Sequence, residues 1–316
     1  MQKTLTIFTP AYNRAHTIGR TYESLCRQTC QDFEWLIIDD GSKDNTKELI
    51  FSWITKDYEF HEISDNEFEG YSEDASWLHI RYCHKENGGL HTGYNKAIEL
   101  MDTELCVCID SDDWMPDDAV EKIIKKWEKE GDDGVGGILG LDFYENGEPI
   151  GGYFENGIER LKMIEMRSKY HHHGDVKVVH RTELLKRIPP MPSFPGEKNF
   201  NPIYLFYEID VKYPLLLLND NICFVEYQND GMSNNMIRQY VNSPRSFSEL
   251  RKQMMRRPDV SINMKFKNAI HYVSSQIMIG NRKWLAESPM KFMTILAVPF
   301  GVILYLVIMY KYKILS

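Results

Sequence analysis

Short apolar segments alternate with amphipathic ones over the first 130 residues, and this order constrains the fold more than any other feature. Four apolar segments have the length of strands: 4–9, 34–38, 78–83 and 105–109. Four segments between and after them have helical apolar spacing: 17–28, 46–53, 91–101 and 117–130. Strands that alternate with helices form a parallel sheet with right-handed crossovers. The sequence therefore predicts an α/β, Rossmann-like, mostly parallel sheet flanked by helices.

The rest of the chain is less regular. Residues 57–76 are acidic and aromatic, and they predict a solvated surface loop inserted before the third strand. Residues 134–154 predict strands with a turn at Asn146-Gly147, residues 202–217 a helix, and residues 233–288 a basic helical region.

Composition narrows the class of partner. The 316 residues carry a net charge of −9, which disfavours a phosphate backbone, so we expect no nucleic-acid partner. The six cysteines lack the paired CxxC spacing of a structural zinc site and suit a reduced compartment. The amino terminus leads directly into a strand without a signal peptide, so we expect a cytoplasmic catalytic part.

The densest cluster of acidic residues follows the predicted strand 105–109. Asp110, Asp112 and Asp113 would lie at the carboxyl edge of the sheet, where open α/β sheets bind ligands. Carboxylates this close repel one another unless a cation neutralises them, and Mg²⁺ or Mn²⁺ would bridge them to a diphosphate. A solvated turn or a helix N-cap is the alternative.

Two other strand ends carry polar groups. Asn13 and Arg14 follow the first strand, and Asp39 and Asp40 close the second. Because the carboxyl ends of parallel strands meet at one edge, we expect these groups to form a pocket together with the acidic cluster.

These segments, in this order, resemble family 2 glycosyltransferases of the nucleotide-diphospho-sugar transferase (GT-A) fold. The resemblance covers residues 3 to about 118 and continues more loosely to about 230. It rests on five segments: Thr9-Pro10-Ala11-Tyr12-Asn13-Arg14, Gln28-Thr29, Asp39-Asp40-Gly41-Ser42-Lys43-Asp44, Asn87-Gly88-Gly89 with Asn95, and Asp110-Ser111-Asp112-Asp113. It implies a catalytic domain at 1–230, with a nucleotide-sugar half at 1–118 and an acceptor half at 119–230, followed by a helical extension at 231–316.

The resemblance also implies roles for the site residues. The segment from Pro10 through Tyr12 to Arg14, with Asp39 and Asp40, would hold the base and ribose of the donor. Asn95, Ser111 and the acids Asp110 and Asp112 would complete the nucleotide site, and Asp112 or Asp113 would ligate Mn²⁺ or Mg²⁺. The metal would stabilise the diphosphate leaving group as a Lewis acid. Members of the family usually invert the anomeric centre, with a carboxylate deprotonating the acceptor hydroxyl.

Two departures from the family pattern concern catalysis. Glu197 is the best candidate for the base, but Ile203 stands after Pro202 where related sequences carry an acid, and a structural or acceptor-binding role for Glu197 is the alternative. Leu90 replaces a lysine that often contacts phosphate. His91 would then contribute to phosphate binding, or it would cap a helix or pack in the core.

Three further positions have weaker patterns. The consecutive residues His171 to His173 point in different directions, so we expect one or two of them in the acceptor cleft and the rest exposed, not a metal site. Asp175 is predicted to lie in the acceptor cleft. Trp114 is predicted to pack inward, with stacking on an acceptor as the alternative.

The carboxyl-terminal segment 292–310 is almost wholly apolar. It is long enough to cross a bilayer at ~1.5 Å per residue, it is interrupted by Pro299 and Gly301, and lysines flank it. A single-pass anchor, a kinked or in-plane segment and a buried soluble helix are the alternatives. A membrane tether at the cytoplasmic face suits an enzyme with a saccharide or lipid-linked acceptor, as in cell-surface glycan assembly.

Other function classes fit less well. A nucleotidyltransferase needs a glycine-rich basic loop after the first strand, where this chain has Asn13-Arg14-Ala15-His16. An inactive nucleotide-sugar-binding scaffold of a membrane complex stays open because the base is uncertain. The leading prediction is a metal-dependent, inverting glycosyltransferase that uses a UDP-sugar.

Overall fold

A computed structural model of the protein describes residues 3–55, 60–226 and 236–315. The chain divides into two compact units. The first comprises Met1–Gly88, Thr92–Pro189 and Phe206–Glu226, and the second comprises Gly89–His91, Pro190–Leu205 and Tyr227–Ser316. The sequence-based boundary at residue 230 lies outside the described residues and stays a prediction.

The first unit contains one ten-stranded sheet in the described residues, in the order β3-β4-β5-β2-β1-β6-β9-β7-β10-β8. Its strands are β1 (Leu5–Ala11), β2 (Phe33–Asp39), β3 (His61–Ser64), β4 (Glu67–Tyr71), β5 (His79–His84), β6 (Leu105–Cys108), β7 (Gly137–Phe143), β8 (Arg160–Leu161), β9 (Val176–Arg181) and β10 (Leu215–Phe224). The helices between residues 18 and 210 are α1 (Ile18–Cys26), α2 (Thr46–Ser52), α3 (Leu90–Leu100), α4 (Ala119–Glu130), α5 (Glu165–Ser168), α6 (Thr182–Lys186) and α7 (Ile203–Asp210).

The centre of the sheet is the parallel part predicted from the sequence. Strands β5, β2, β1 and β6 run in the same direction, with Ala11 opposite Asp39 and Phe8 opposite Cys108. Every residue of β2 is buried, as expected for a strand covered on both faces. The three strands that precede the predicted site residues therefore end at one edge.

The sheet is mixed outside this centre. Strand β9 lies between β6 and β7 and is antiparallel to both, and β8 is antiparallel to β10. The predicted helix 202–217 ends at Asp210, and Leu215 already belongs to β10. The apolar run Leu215–Leu218 fits helix and strand equally by pattern, and pairing with β7 decides for the strand.

The prediction of a solvated loop at 57–76 is wrong for its central part. Strands β3 and β4 form an antiparallel hairpin, and β4 pairs with β5 to extend the sheet. Phe68 on β4 is buried and stacks on Tyr82, so alternate residues of this acidic segment bury aromatic rings. Residues 57–59 of the predicted loop lie outside the described residues.

The second unit is helical in its carboxyl-terminal part. It contains α8 (Met236–Asn242), α9 (Pro244–Arg256), α10 (Ile262–Ile279) and α11 (Lys291–Leu315). The Ser261 hydroxyl accepts from the Met264 N–H to cap α10, and Gly280 ends it with a φ of 68°. The helical prediction for 233–288 therefore holds to Ile279, while residues 233–235 lie outside the described residues. Pro299 is inside α11.

Candidate active site

The loop after β1 is fixed by the loop after β2. Asn13 has a φ of 54°; its backbone N–H donates to the Ser42 hydroxyl, and its side-chain carbonyl accepts from the Lys43 N–H. The Arg14 N–H donates to the Thr46 hydroxyl at 2.9 Å. Tyr12, by contrast, is 44% exposed. The segment Pro10–Arg14 therefore has a set backbone and presents an aromatic ring at the carboxyl edge of the sheet.

Asp39 and Asp40 close β2 in different ways. Asp39 is fully buried and accepts from the Ser42 N–H at 2.8 Å and from the Tyr82 hydroxyl at 2.6 Å. Asp40 accepts from the Lys85 ammonium at 2.5 Å and from the Gly88 N–H at 3.0 Å. Asp39 thus organises the turn, while Asp40 joins it to the segment before α3. The predicted site residue Asn95 lies within α3 and is half-buried.

Gly41 makes this turn possible. Its φ is +81°, and a Cβ at this position would lie 2.9 Å from the Asn87 backbone nitrogen. A side chain there would separate the Asp39-Asp40 turn from the segment it contacts.

The acidic motif follows β6 at the same edge as Pro10. The Ile109 N–H donates to the Phe8 carbonyl, so the chain leaves β6 in register with β1. The side chain of Asp110 is half exposed, Asp112 is partly buried, and Ser111 and Asp113 are buried. The motif therefore points its first and third residues outward and its second and fourth inward.

A lysine that the sequence analysis missed lies among these acids. The Lys177 ammonium on β9 is 2.7 Å from an oxygen of Asp113, 3.7 Å from Asp110 and 3.9 Å from Asp142 on β7. Burial alone would lower the pKa of Lys177, but Asp142 and Asp113 raise it well above its ordinary value. Lys177 is therefore a charged lysine in a buried acidic cluster.

One lysine does not neutralise three carboxylates. Burial raises the pKa of Asp142 to about 7 and that of Asp113 to about 6, although Lys177 opposes both shifts. Burial and the neighbouring Asp110 also raise the pKa of Asp112. In the described part of the chain, Lys177 and, at Asp112, Arg14 oppose these upward pKa shifts without reversing them, a condition that favours a bound cation.

The residues fit a divalent metal only in part. Among the described residues, no group of three His, Cys, Asp or Glu side chains is arranged to hold a metal ion. Mg²⁺ is commonly held by one or two carboxylates, with substrate phosphates completing the coordination, and Asp110 and Asp112 suit that pattern. Asp113 already binds Lys177, so its role as a ligand stays a prediction that its contacts do not favour.

Arg20 supports the motif from α1. Its guanidinium donates to the Asp112 carbonyl at 2.8 Å and lies 3.8 Å from the centre of the Trp114 ring. Phe224 on β10 stacks on Trp114. The predicted inward packing of Trp114 agrees with these contacts.

Glu197 is in the second unit, where it contacts the start of α9. Its carboxylate accepts from the Arg245 and Ser246 N–H groups at 3.0 and 2.9 Å and from the Ser246 hydroxyl at 2.8 Å. Acidic side chains stabilise helix amino termini in this way. These contacts favour the structural alternative for Glu197, and its role as the base stays a prediction.

The histidines are mostly structural. His91 is buried in the second unit, near Phe200, and its Nε2 lies 3.1 Å from the Ser193 hydroxyl, in agreement with the core alternative. His172 is buried in the first unit and stacks on Phe154, while His171 and His173 are exposed. Asp175 is also exposed, and its place in an acceptor cleft stays a prediction.

Comparisons with known proteins agree with this architecture. Residues 6–188 match the glycosyl transferase family 2 profile. Chondroitin synthase of Pasteurella multocida is 32% identical over 126 residues, which is 40% of this chain and 11% of that protein. Glycosyltransferase GlyA of Streptococcus pneumoniae is 28% identical over 174 residues, 50% of this chain and 22% of that protein. The chain thus spans only a small part of the length of these relatives.

Solved structures share the fold at low identity. S. aureus TarS 1–349 in complex with UDP-GlcNAc superposes with a TM-score of 0.60 and 15% identity, covering 95% of this chain and 80% of TarS 1–349. The mannosyltransferase PcManGT of Pyrobaculum calidifontis, solved with GDP-Man and Mn²⁺, gives a TM-score of 0.53 and 16% identity over 99% of this chain and 84% of its own. With more than half of its residues matched by the family profile, the chain belongs to glycosyl transferase family 2.

Proposed function

We propose that this protein transfers a sugar from a nucleotide-diphosphate donor, a UDP-sugar, to a saccharide or lipid-linked acceptor in cell-surface polysaccharide assembly. The observation that carries the proposal is the meeting of three strand ends at one sheet edge. The strands β1, β2 and β6 pair in parallel register, and Pro10–Arg14, Asp39-Asp40 and Asp110–Asp112 lie at or just after their carboxyl ends.

The nucleoside would bind over the first two strand ends. The exposed ring of Tyr12 offers a stacking surface for the base, and aromatic rings bind bases in this way in many proteins. Asp40 would accept from the base, and Asp110 from a ribose hydroxyl. Asn13 and Arg14 hold their positions through Ser42 and Thr46.

The diphosphate would lie next to Asp110 and Asp112. Mn²⁺ or Mg²⁺, held by Asp112 with Asp110, would supply positive charge that stabilises the leaving diphosphate. Burial and, after it, the neighbouring Asp110 raise the pKa of Asp112; this supports the assignment, because a bound cation would stabilise the charged carboxylate against both effects. Lys177 would keep Asp113 and Asp142 from adding to that repulsion.

The choice of UDP over other nucleotides rests on the similar proteins and not on the geometry of the site. The TarS structure contains UDP-GlcNAc, and the relatives include a chondroitin synthase and a hyaluronan synthase. These names also support polysaccharide assembly. Inversion at the anomeric centre, with Glu197 as the base, is the mechanism implied by the family resemblance, and the reaction needs one carboxylate to take the acceptor proton.

A membrane partner suits the same assignment. Among the described residues, one helix segment, Lys291–Ile314, is long and apolar enough to cross a membrane; its most apolar 18-residue stretch has a mean hydropathy of 2.5 and is 22% buried. We propose that this helix holds the enzyme at the cytoplasmic face of the cell membrane, where lipid-linked acceptors are accessible.

The test is nucleotide binding measured by thermal shift and calorimetry. UDP, GDP and TDP are each added with Mn²⁺, with Mg²⁺ or with a chelator. We expect UDP with metal to stabilise the protein, and Asp112→Ala to abolish that stabilisation while the variant stays folded. The matched control is Asp117→Ala, which removes an exposed acid between the acidic motif and α4. This variant should bind nucleotide as the unsubstituted protein does.

Two results would contradict the proposal. Stabilisation by UDP that is equal with metal and with chelator would remove the metal assignment. A folded protein that binds none of the three nucleotides would contradict the donor site itself. The second candidate, an inactive nucleotide-sugar-binding scaffold, is supported by the contacts of Glu197 with α9, and it would bind nucleotide but transfer no sugar.

A further inference from the structure

Helix α11 has two unlike faces. One stripe is buried within the second unit and includes Thr294, Ala297, Gly301 and Ile308. The other face exposes large apolar side chains along the whole helix: Phe292, Ile295, Leu296, Phe300, Val302, Ile303, Leu306, Val307, Tyr310 and Ile314. A helix that is buried in a soluble core would not leave such a face in water.

The buried stripe packs on α10 and α8 around the middle of α11. Gly301 faces α10 so closely that a Cβ would lie 2.5 Å from Val273 Cγ1. The centres of the Phe300 and Phe266 rings are 5.9 Å apart. Nearer the carboxyl end, Ile308 packs with Tyr240 and Phe247. The middle of the candidate membrane segment is therefore attached to neighbouring helices.

Polar side chains of α8, α9 and α10 lie next to the buried stripe of α11. The Arg251 guanidinium donates to Asn268 at 3.2 Å and to the Tyr240 hydroxyl, which is also 2.9 Å from His271. Arg251 thus donates to the hydroxyl of Tyr240, whose side chain packs with Ile308. Charged and polar groups within a transmembrane layer are costly and rare.

The distances argue against a span. If α11 crossed a bilayer, Gly301 would lie near its midplane, because the apolar segment runs from Lys291 to Ile314. The hydrocarbon core extends about 15 Å to each side. Lys267 is six residues from Val273 on α10, about 9 Å along the helix, so α10 would place this exposed lysine inside the core.

We propose that α11 lies in the plane of an anionic membrane surface, with its exposed apolar face in the boundary between headgroups and acyl chains and α8 to α10 on the aqueous side. This deepens the proposed membrane association and rests on it. Interfacial helices lie in this orientation with a polar side toward water. Because α11 is itself apolar on both faces, the packed helices α8 to α10 would form that aqueous side.

The charges of α11 favour anionic lipid as the occupant of this face. Residues 291–315 contain no acid, and Lys291, Lys311 and Lys313 stand at the two ends, although the whole chain carries −9. Each basic residue near an anionic leaflet adds to binding. In an antiparallel pair of α11 helices from two copies, lysines at opposite ends would meet each other, so a second copy fits less well.

The first experiment determines the topology. In the full chain, Glu287→Cys places a thiol just before the start of α11, and Lys311→Cys places one near its end. The unsubstituted chain, with its own cysteines, gives the background labelling. Spheroplasts and inside-out membrane vesicles from expressing bacteria are treated with a membrane-impermeant maleimide. We expect both thiols to react in inside-out vesicles and neither in spheroplasts, whereas one thiol reacting on each side would overturn the in-plane orientation.

The second experiment measures vesicle binding without donor or acceptor. Ile303→Glu combined with Leu306→Glu should weaken binding to vesicles containing phosphatidylglycerol by at least ten-fold. Ile63→Glu changes a side chain of the same 60% exposure on β3 and should bind unchanged. Equal binding by the double variant, or a stable dimer that vesicles do not dissociate, would overturn the proposal. Because no sugar transfer is measured, the outcome is independent of the donor assignment.

Discussion

The Lys177 ammonium lies 2.7 Å from the Asp113 carboxylate, and both side chains are nearly buried. Lys177 belongs to β9, which joins the sheet between β6 and β7, so the contact links the acidic motif to a strand far along the chain. The same ammonium is 3.9 Å from Asp142. Among the described residues, Lys177 is therefore the cation that pairs with both carboxylates behind the proposed diphosphate site.

Replacing Lys177 with methionine should destabilise the first unit strongly. Methionine keeps the apolar stem but leaves Asp113 and Asp142 without their cation, and breaking a buried ion pair costs about 3–5 kcal/mol. We expect a correspondingly lower free energy of unfolding in urea at pH 8. Lys125→Met, which removes an exposed lysine paired with Glu121 on α4, is the control and should change stability little. Equal stability of the two variants would show that the cluster is neutralised in another way.

Asp142→Asn should change how stability depends on pH. The pKa of Asp142 is raised to about 7 in the folded protein, against an ordinary value of about 3.9. The folded state therefore holds this proton to higher pH than the unfolded state does. The contribution of Asp142 to the free energy of unfolding is thus present at low pH and is lost as the pH rises toward 7 and above. Asparagine does not titrate.

Relative to the unsubstituted protein, the free energy of unfolding of Asp142→Asn should rise by up to about 1.4 kcal/mol per pH unit between pH 4 and pH 7. Above that range the difference should stay constant. Unfolding in urea at half-unit steps of pH, in chelator, measures this difference. Lys177 stays charged throughout the range and does not alter the sign. Parallel curves for the two proteins would mean that Asp142 titrates normally.

The sequence was sufficient to predict that three polar strand ends meet at one edge of the sheet, while their role as the donor site stays a prediction. Asp39-Asp40 and Asp110–Asp113 follow apolar strands directly, and parallel pairing brings such strand ends together whatever the details of packing. Lys177 and Asp142 were missed because they meet through β9, whose antiparallel position between β6 and β7 depends on pairing between segments distant in the chain. Local spacing carries no record of that pairing.

The errors in secondary structure have similar causes. The β3-β4 hairpin was interpreted as a loop because its exposed acids hide the alternation that buries Phe68. Leu215–Leu217 were interpreted as helix because a short, fully buried strand shows no periodicity of two. Glu197 is different: its place in the chain makes it the best candidate for the base with a structural role as the alternative, and the contacts with α9 that favour the alternative depend on how the second unit folds.

Glu197→Gln should separate the two roles of this residue. Glutamine cannot accept with both side-chain atoms, so the start of α9 loses hydrogen bonds, and we expect a loss of about 1–3 kcal/mol in stability. If Glu197 is also the base, sugar transfer should fall at least 100-fold at a temperature where the variant is folded. UDP binding, measured by calorimetry, should not change.

Ser246→Ala is the matched control for this prediction. It removes the hydroxyl that donates to Glu197 at 2.8 Å but keeps the carboxylate. It should lose part of the stability and none of the transfer rate. Transfer at the normal rate by Glu197→Gln would contradict the catalytic role and leave the contact with α9 as the whole function of the residue.

Gly301→Val should loosen α11 from α10. A Cβ at this position would lie 2.5 Å from Val273 Cγ1 and 3.0 Å from the Ile270 carbonyl, so the helices must move apart. Overpacking of this kind costs about 1–3 kcal/mol, which outweighs the better helix propensity of valine. We expect amide hydrogen exchange in 262–279 and 291–315 to become about ten-fold faster. Val302→Ile adds volume at the exposed neighbouring position and should leave exchange unchanged. Unchanged exchange in Gly301→Val would mean that α11 separates from α10 in solution, and the attachment that argues against a membrane span would be lost with it.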